Sequence, residues 1–136
     1  MFELLEHTAD IGFRATGPTE AAMMEEAARA LVSIAVEIGD VEAREPYPLA
    51  AFGEDPPARL VNWLNEVLYY LDGERVALCR FQVNALEESG VAGIGWGEPR
   101  DPARHRAKRI VKGVTYHQLS IQFRKGEWVC EVYLDI

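Results

Sequence analysis

The hydrophobic and polar positions of the first part of the chain predict a strand followed by a long helix. The alternation IGFRA at residues 11–15 is typical of a strand, and Gly17 and Pro18 end it. A helical period begins after Thr19, whose side chain can cap a helix, and continues to about Glu37. The apolar residues of this helix that we expect to face the core are Met24, Ala27, Ala28, Leu31, Ile34, Ala35 and Ile38.

A second helix is predicted to start at the Asp-Pro-Pro sequence of residues 55–57, because proline is tolerated in the first turn of a helix. It is expected over about residues 58–71. Residues 39–52 have a strand pattern, and Pro46 and Pro48 confine that strand to a sheet edge. The residues of the second helix predicted to be buried are Leu60, Val61, Leu64, Val67, Leu68 and Leu71.

The rest of the chain is rich in strand patterns. Residues 76–85 alternate, and residues 119–134 predict a hairpin with its turn at RKGE, residues 124–127. The stretch VAGIGWG at residues 91–97 resembles a glycine-rich phosphate loop, but no helix start follows it and Pro99 comes next. We therefore favour a flat strand with close backbone contacts there.

These elements predict a single α+β domain over residues 1–136, with two helices packed on a largely antiparallel (mixed) β-sheet. A chain of 15.2 kDa can bury a core large enough to fold without disulfides. Cys79 and Cys130 lie in apolar runs, so we expect two buried free thiols. No disulfide framework or zinc cluster is expected from them.

The chain is expected to be soluble and cytoplasmic, without a membrane partner. No apolar run approaches the roughly 20 residues of a membrane span. The first residues also lack the basic and then apolar pattern of a signal peptide.

The net charge of -8 argues against unaided nucleic-acid binding, which needs a surplus of lysine and arginine on some face. Residues 100–112, RDPARHRAKRIVK, are a local exception with six basic residues and one acid. This basic segment is either a solvated loop that leads into a strand or a contact for an acidic partner or a phosphate.

Two carboxylates are predicted to meet at one end of the sheet. Asp10 directly precedes the first predicted strand, and Asp135 closes the last one; the parity of each places it on the face opposite the core. The α-carboxylate of Ile136 would arrive at the same point. Three oxyanions repel one another unless a cation joins them, and hard divalent ions take oxygen ligands. The alternative is that Asp10 caps a turn and Asp135 faces water.

The histidines offer no clear catalytic apparatus. His7 could support Asp10 or form a local turn, whereas His105 and His117 are scattered without a metal-ligand spacing. No nucleophile motif or Walker loop is present in the sequence.

Four separated motifs resemble the archease family across nearly the whole chain. They are EHTADIGFRATG, WLNEVLYYLDGE, GEPRDPARH with VKGVTYHQL, and VYLDI, in the family's order. The resemblance implies a protein that is not an enzyme alone but activates the RtcB-type tRNA-splicing RNA ligase. It implies that guanylylation of the ligase and multiple turnover are promoted, with tRNA or other RNA engaged through the ligase.

The resemblance also implies particular site residues. A divalent ion, of the calcium type, would be held by Asp10, Asp135 and Ile136, and Mn²⁺ or Mg²⁺ could serve in the ligase complex. Lys112 matches a lysine that matters for activation, so Asp10, Lys112 and Asp135 would act together. Gly113 departs from the family pattern, which usually has alanine there.

Two other classes of function are compatible with the sequence. A metal-dependent phosphohydrolase would use the same carboxylates with a bound water, and turnover by the purified protein alone would support it. An RNA-binding or chaperone-like module would need only the basic segment and exposed apolar surface. Salt-dependent RNA binding without any effect on a ligase would favour that module.

Overall fold

The first helix, α1 (Glu20–Ala35), begins where the sequence predicts in the computed structural model, which describes residues 1–6 and 11–136. The Thr19 side chain caps it by accepting a hydrogen bond from the Ala22 N–H over 3.0 Å. The helix ends two residues before the expected Glu37, because Val36 is extended and forms a bridge with Ala107.

The second helix, α2 (Pro56–Leu68), is also capped as predicted. The Asp55 carboxylate accepts a hydrogen bond from the Ala58 N–H over 2.8 Å. A π-helical turn, Tyr69–Gly73, continues the helix and buries Leu71, so the expected helical stretch to residue 71 is confirmed with a wider last turn.

The strands form two antiparallel sheets. The strand bounds are β1 Phe2–Glu6, β2 Ile11–Gly17, β3 Glu45–Phe52, β4 Val76–Glu87, β5 Gly90–Pro99, β6 Gly113–Arg124 and β7 Glu127–Asp135. The first sheet has the order β1-β2-β7-β6 and the second the order β3-β5-β4. The predicted α+β class is confirmed, with the described strands divided between two sheets.

Several strand predictions are confirmed and one strand was not predicted. β3 lies at a sheet edge, as its prolines require. In β5 a Cβ added at Gly97 would lie 1.8 Å from the Ala77 carbonyl oxygen, so this glycine permits the expected close backbone contact. The sequence FELLE of β1 lacks alternation, so this strand forms through its pairing with β2.

One cluster of buried side chains joins both helices and both sheets. α1 contacts β2 and β4, and α2 contacts β3 and β6, so each helix packs on a strand of each sheet. The predicted helical core residues are buried apart from Ile38, which is half-buried. Cys130 is a buried free thiol as expected, whereas Cys79 is half-buried.

Burial raises the pKa of the Cys130 thiol to about 12, so this sulfur is protonated and inert at neutral pH.

In the part of the chain that the structure describes, no helix is long and apolar enough to cross a membrane.

Candidate functional site

One end of the first sheet brings together residues from three distant parts of the sequence. The Lys112 N–H donates a hydrogen bond to the Asp135 carbonyl oxygen over 2.7 Å. Gly113 pairs with Asp135, and Ile11 pairs with Leu134 on the other side of β7. The start of β2, the start of β6 and the end of β7 therefore lie side by side.

Lys112 and Asp135 are thus placed together, while the rest of the predicted set is only partly described. Both side chains are exposed, and neither forms an ion pair or hydrogen bond with any residue of 1–6 or 11–136. Ile136 follows at 38% exposure. Asp10 and His7 lie outside the described residues, so the ligand set of Asp10, Asp135 and Ile136 stays a prediction.

The strand parity used to place the two aspartates agrees with the neighbouring pairs of β2 and β7. Arg14 donates from Nε to the Glu131 carboxylate over 2.9 Å and also contacts Glu3. The hydrogen bond and charge of Glu131 raise the pKa of Arg14. This face is not entirely open to solvent, because Tyr133 is buried on it.

Two glycines at this end of the sheet differ in whether a side chain would fit in their place. A Cβ added at Gly12 would lie 2.5 Å from the Val132 carbonyl oxygen and 2.7 Å from the Tyr133 ring, so only glycine fits. Nothing lies within 4 Å of a Cβ added at Gly113. The alanine of the family pattern would therefore fit at Gly113.

The motif GEPRDPARH forms a polar network around the buried Glu98 and His105 that sequence reasoning missed. The Glu98 carboxylate accepts two hydrogen bonds from the Arg104 guanidinium, at 2.9 and 3.0 Å, and one from the Glu42 N–H at 2.8 Å. The Arg104 hydrogen bonds, followed by those from Glu42 and His105, hold the pKa of Glu98 at about 2 despite its burial. The available signal was an acid, an arginine and a histidine within eight residues.

His105 belongs to this network and not to a metal site. Its ring is buried, and Nδ1 accepts a hydrogen bond from the Asp101 N–H over 2.9 Å. Nε2 lies 3.0 Å from the Glu98 carboxylate, so Nε2 carries the proton and donates it. His117 is exposed on β6, and its main-chain N–H bonds to Thr115 Oγ1 over 3.2 Å. The two histidines are therefore structural and peripheral, respectively.

The basic segment of residues 100–112 is an irregular connection from β5 to β6 that is mostly exposed and is attached to the end of α1. The N–H groups of Lys108 and Arg109 donate to the Ala35 and Ile34 carbonyl oxygens, at 2.9 and 3.1 Å. Lys108 Nζ also donates to the Ser33 carbonyl oxygen over 3.0 Å. The segment thus supplies donors to the last carbonyl groups of a helix whose own last turn has no basic residue.

The described residues at this sheet end supply only part of a binding site for a hard divalent cation. Among residues 1–6 and 11–136, no three His, Cys, Asp or Glu side chains come together as a metal-binding group. Asp135 does offer an exposed carboxylate without a competing partner in that part of the chain. Further oxygen ligands would have to come from the predicted Asp10 and Ile136.

The fold and this sheet end define a small α+β protein with two helices on two antiparallel sheets. The family model of the Archease protein family (MTH1598/TM1083) matches residues 2–136, and the chain belongs to this family.

Relatives of this family match over nearly their full lengths. Protein archease of Methanopyrus kandleri is 36% identical, over 99% of this chain and 99% of the relative. That of Sulfurisphaera tokodaii is 34% identical, over 99% of this chain and 98% of the relative.

Solved structures of the family share the fold. The solution structure of Methanobacterium thermoautotrophicum protein 1598 is similar with a TM-score of 0.86 and 31% identity, over 99% of this chain and 98% of the other. A crystal structure from Thermotoga maritima, described as an archease and possible chaperone, has a TM-score of 0.66 and 19% identity. That match covers 97% of this chain and 94% of the other, and it supports the fold alone.

Proposed function

We propose that this archease-family protein activates an RtcB-type tRNA-splicing RNA ligase and is not an enzyme alone. In this role it promotes guanylylation of the ligase and multiple turnover, and it meets RNA through the ligase. Lys112, Asp135 and Asp10 carry the activity at the end of the first sheet. The observation that supports this most is the 2.7 Å hydrogen bond between the Lys112 N–H and the Asp135 carbonyl oxygen.

That hydrogen bond matters because the two residues are far apart in sequence but share a backbone contact. Their side chains are exposed and have no partner among the described residues, so no described contact within the fold accounts for a lysine or an aspartate at these positions. A lysine ammonium beside a carboxylate can contact a phosphate and a metal ion of a partner at once. Such a pair suits a surface that completes another protein's active site.

A divalent cation, of the calcium type, is part of the proposal. Asp135, Asp10 and Ile136 would hold it through oxygen atoms, and such an ion would neutralise their charges. The ion either completes the ligase site, or it leaves free coordination positions for ligase groups. In the second case, the sheet end that carries Asp10 and Asp135 inserts into the ligase as an acidic tip. Mn²⁺ or Mg²⁺ could take its place in the complex.

Ligase turnover with and without this protein is the deciding experiment. An excess of ligase substrate over ligase would show whether turnover continues beyond one round. Guanylylation of the ligase, followed with labelled GTP, would measure the proposed step directly. An unchanged guanylylation rate and turnover would contradict the proposed function.

Matched variants would assign the residues. Lys112→Ala and Asp135→Asn should each lower activation at least tenfold without lowering the melting temperature, because neither side chain has a described contact. Lys125→Ala, an exposed lysine in the turn between β6 and β7, is the matched control and should activate normally. Full activation by the Lys112 and Asp135 variants would show that this sheet end is not the active surface.

A further inference from the structure

A groove of about 320 Å³ lies between the turn before β4 and the basic segment. Four cationic residues and one acidic residue take part in its lining. The lining residues are Ala35, Asp72, Arg75, Arg100, Ala107, Lys108, Arg109 and Ile110. The sequence pattern alone does not join Arg75 to the basic segment, because they are separated by the hairpin of β4 and β5.

Two of the four cations of this groove have no side-chain partner among the described residues. The guanidinium groups of Arg75 and Arg109 have no ion pair or hydrogen bond with any residue of 1–6 or 11–136. Arg100 forms an ion pair with the Asp72 carboxylate over 3.8 Å and donates a hydrogen bond to the Leu71 carbonyl oxygen over 3.4 Å. Lys108 Nζ donates to the Ser33 carbonyl oxygen over 3.0 Å and lies 3.9 Å from the Glu37 carboxylate.

Another basic cleft of the protein shows the contrast. Arg14, Arg124 and Lys125 line a cleft of about 330 Å³ together with Glu127. There, however, the Arg14 guanidinium is bound by the carboxylates of Glu131 and Glu3. That cleft is therefore close to neutral, whereas the groove beside Arg100 keeps an excess of positive charge in a chain of net charge -8.

The main chain holds these cations in place. The Arg100 N–H donates to the Arg75 carbonyl oxygen over 2.8 Å. Arg75 has a φ of 59°, in the left-handed region that non-glycine residues seldom adopt. Lys108 and Arg109 are fixed on the opposite side by their N–H bonds to the end of α1. Burial, and after it the charge of Arg75, lowers the pKa of Arg100, while the charge of Asp72 raises it.

We propose that this groove is a binding site for a phosphate group. Several cations around one small groove fit a group in which three or more oxygens share negative charge. They fit such a group better than they fit a single carboxylate. Guanidinium groups also bind phosphate through two parallel hydrogen bonds. None of the described residues that line the groove is aromatic, so they offer no ring on which a base could stack, and we expect the phosphate and not the base to be recognised.

The test is a titration of the purified chain with inorganic phosphate and with pyrophosphate, against chloride at equal ionic strength. Amide shifts in ¹H–¹⁵N spectra should move at Arg75, Arg100 and Arg109, with pyrophosphate binding more tightly than phosphate. Arg109→Gln and Arg75→Gly should each weaken binding about tenfold, the loss of one charged hydrogen bond. Arg75→Gly also keeps the backbone, because glycine adopts positive φ freely.

Lys125→Gly is the matched control, because Lys125 is likewise a cation at positive φ, 54°, but lies in the compensated cleft. It should bind phosphate as the parent does. Equal loss in this control, or no groove shifts at 10 mM pyrophosphate, would overturn the proposal. So would tighter binding of a hexaglutamate peptide at the same residues.

Two RNA oligonucleotides would identify the source of the phosphate. Tighter binding of a 5′-phosphorylated strand than of its unphosphorylated form supports a terminal phosphate. Equal binding of both strands at the groove supports a phosphodiester backbone, and shifts with inorganic phosphate alone support a free anion. These measurements need no ligase, so their failure is separate from failure of the proposed function.

Discussion

Trp63 of α2 donates a hydrogen bond from its indole Nε1 to the main-chain carbonyl oxygen of Met24 in α1, over 3.0 Å. The Trp63 side chain is fully buried, so this bond links the two helices inside the core. A polar group of this kind is stable in a core only when its partner is fixed.

Trp63→Phe should lower the free energy of unfolding by about 1 to 3 kcal/mol, through the lost hydrogen bond and the space left by the smaller ring. Urea unfolding followed by circular dichroism would measure it. Tyr69→Phe, which removes an exposed hydroxyl bonded to Glu74, is the control and should change the value by about 0.5 kcal/mol or less. Equal effects of the two variants would contradict a core role for the indole bond.

Glu98 should make the protein sensitive to acid. Its folded pKa of about 2 lies below the ordinary 4.5, so the folded state binds this proton less readily than the unfolded state. The stability from Glu98 is therefore complete above about pH 4.5 and is lost as the pH falls towards 2. Glu98→Gln should lower stability at pH 7 and flatten its pH dependence across that interval.

Thermal unfolding from pH 2 to 7 would test this expectation. Glu127→Gln, at an exposed residue without an ion pair among the described residues, should leave the pH dependence as it is. If the melting temperature of Glu98→Gln varies with pH in parallel with that of the parent, Glu98 is not the cause of the pH dependence.

Gly113→Ala should stabilise the protein by up to about 1 kcal/mol, because alanine restricts the unfolded chain and a Cβ meets nothing within 4 Å. Activation of the ligase should persist. Gly97→Ala is the opposite case, since its Cβ would lie 1.8 Å from the Ala77 carbonyl oxygen. Differential scanning calorimetry should show a higher melting temperature for the first variant and a lower one for the second; the reverse order would refute the packing argument.

Asp135→Asn should weaken divalent-ion binding, because a neutral amide oxygen replaces a charged carboxylate oxygen. Isothermal titration with Ca²⁺ would compare this variant with the parent. The melting temperature should change little, since the Asp135 side chain is exposed and has no partner among the described residues. Unaltered Ca²⁺ affinity in Asp135→Asn would remove Asp135 from the proposed ligand set.

Much of the fold follows from local patterns in the sequence. Thr19 and Asp55 mark both helix starts, and the turn RKGE marks the last hairpin, because capping and turn chemistry act over a few residues. β1 escaped prediction because it depends on pairing with β2 and not on its own pattern. The division into two sheets likewise depends on long-range pairing.

The candidate site was predictable only in part for a related reason. The end of a strand is visible in sequence, so the position of Asp135 could be predicted. The contact between Lys112 and Asp135 requires the register of β6 with β7, which sequence spacing does not determine. Glu98 and His105 were missed because an internal hydrogen-bond network has no periodic signature.

The position of β7 between β2 and β6 has a consequence for synthesis on the ribosome. β7 follows every other strand of its sheet in sequence, yet it lies inside that sheet. A nascent chain that ends at Lys125 therefore carries two strand edges, on β2 and β6, whose shared partner has not been made. Such edges are templates for pairing with other chains. The first sheet must close after translation of β7, and a truncated product should aggregate instead of remaining partly folded.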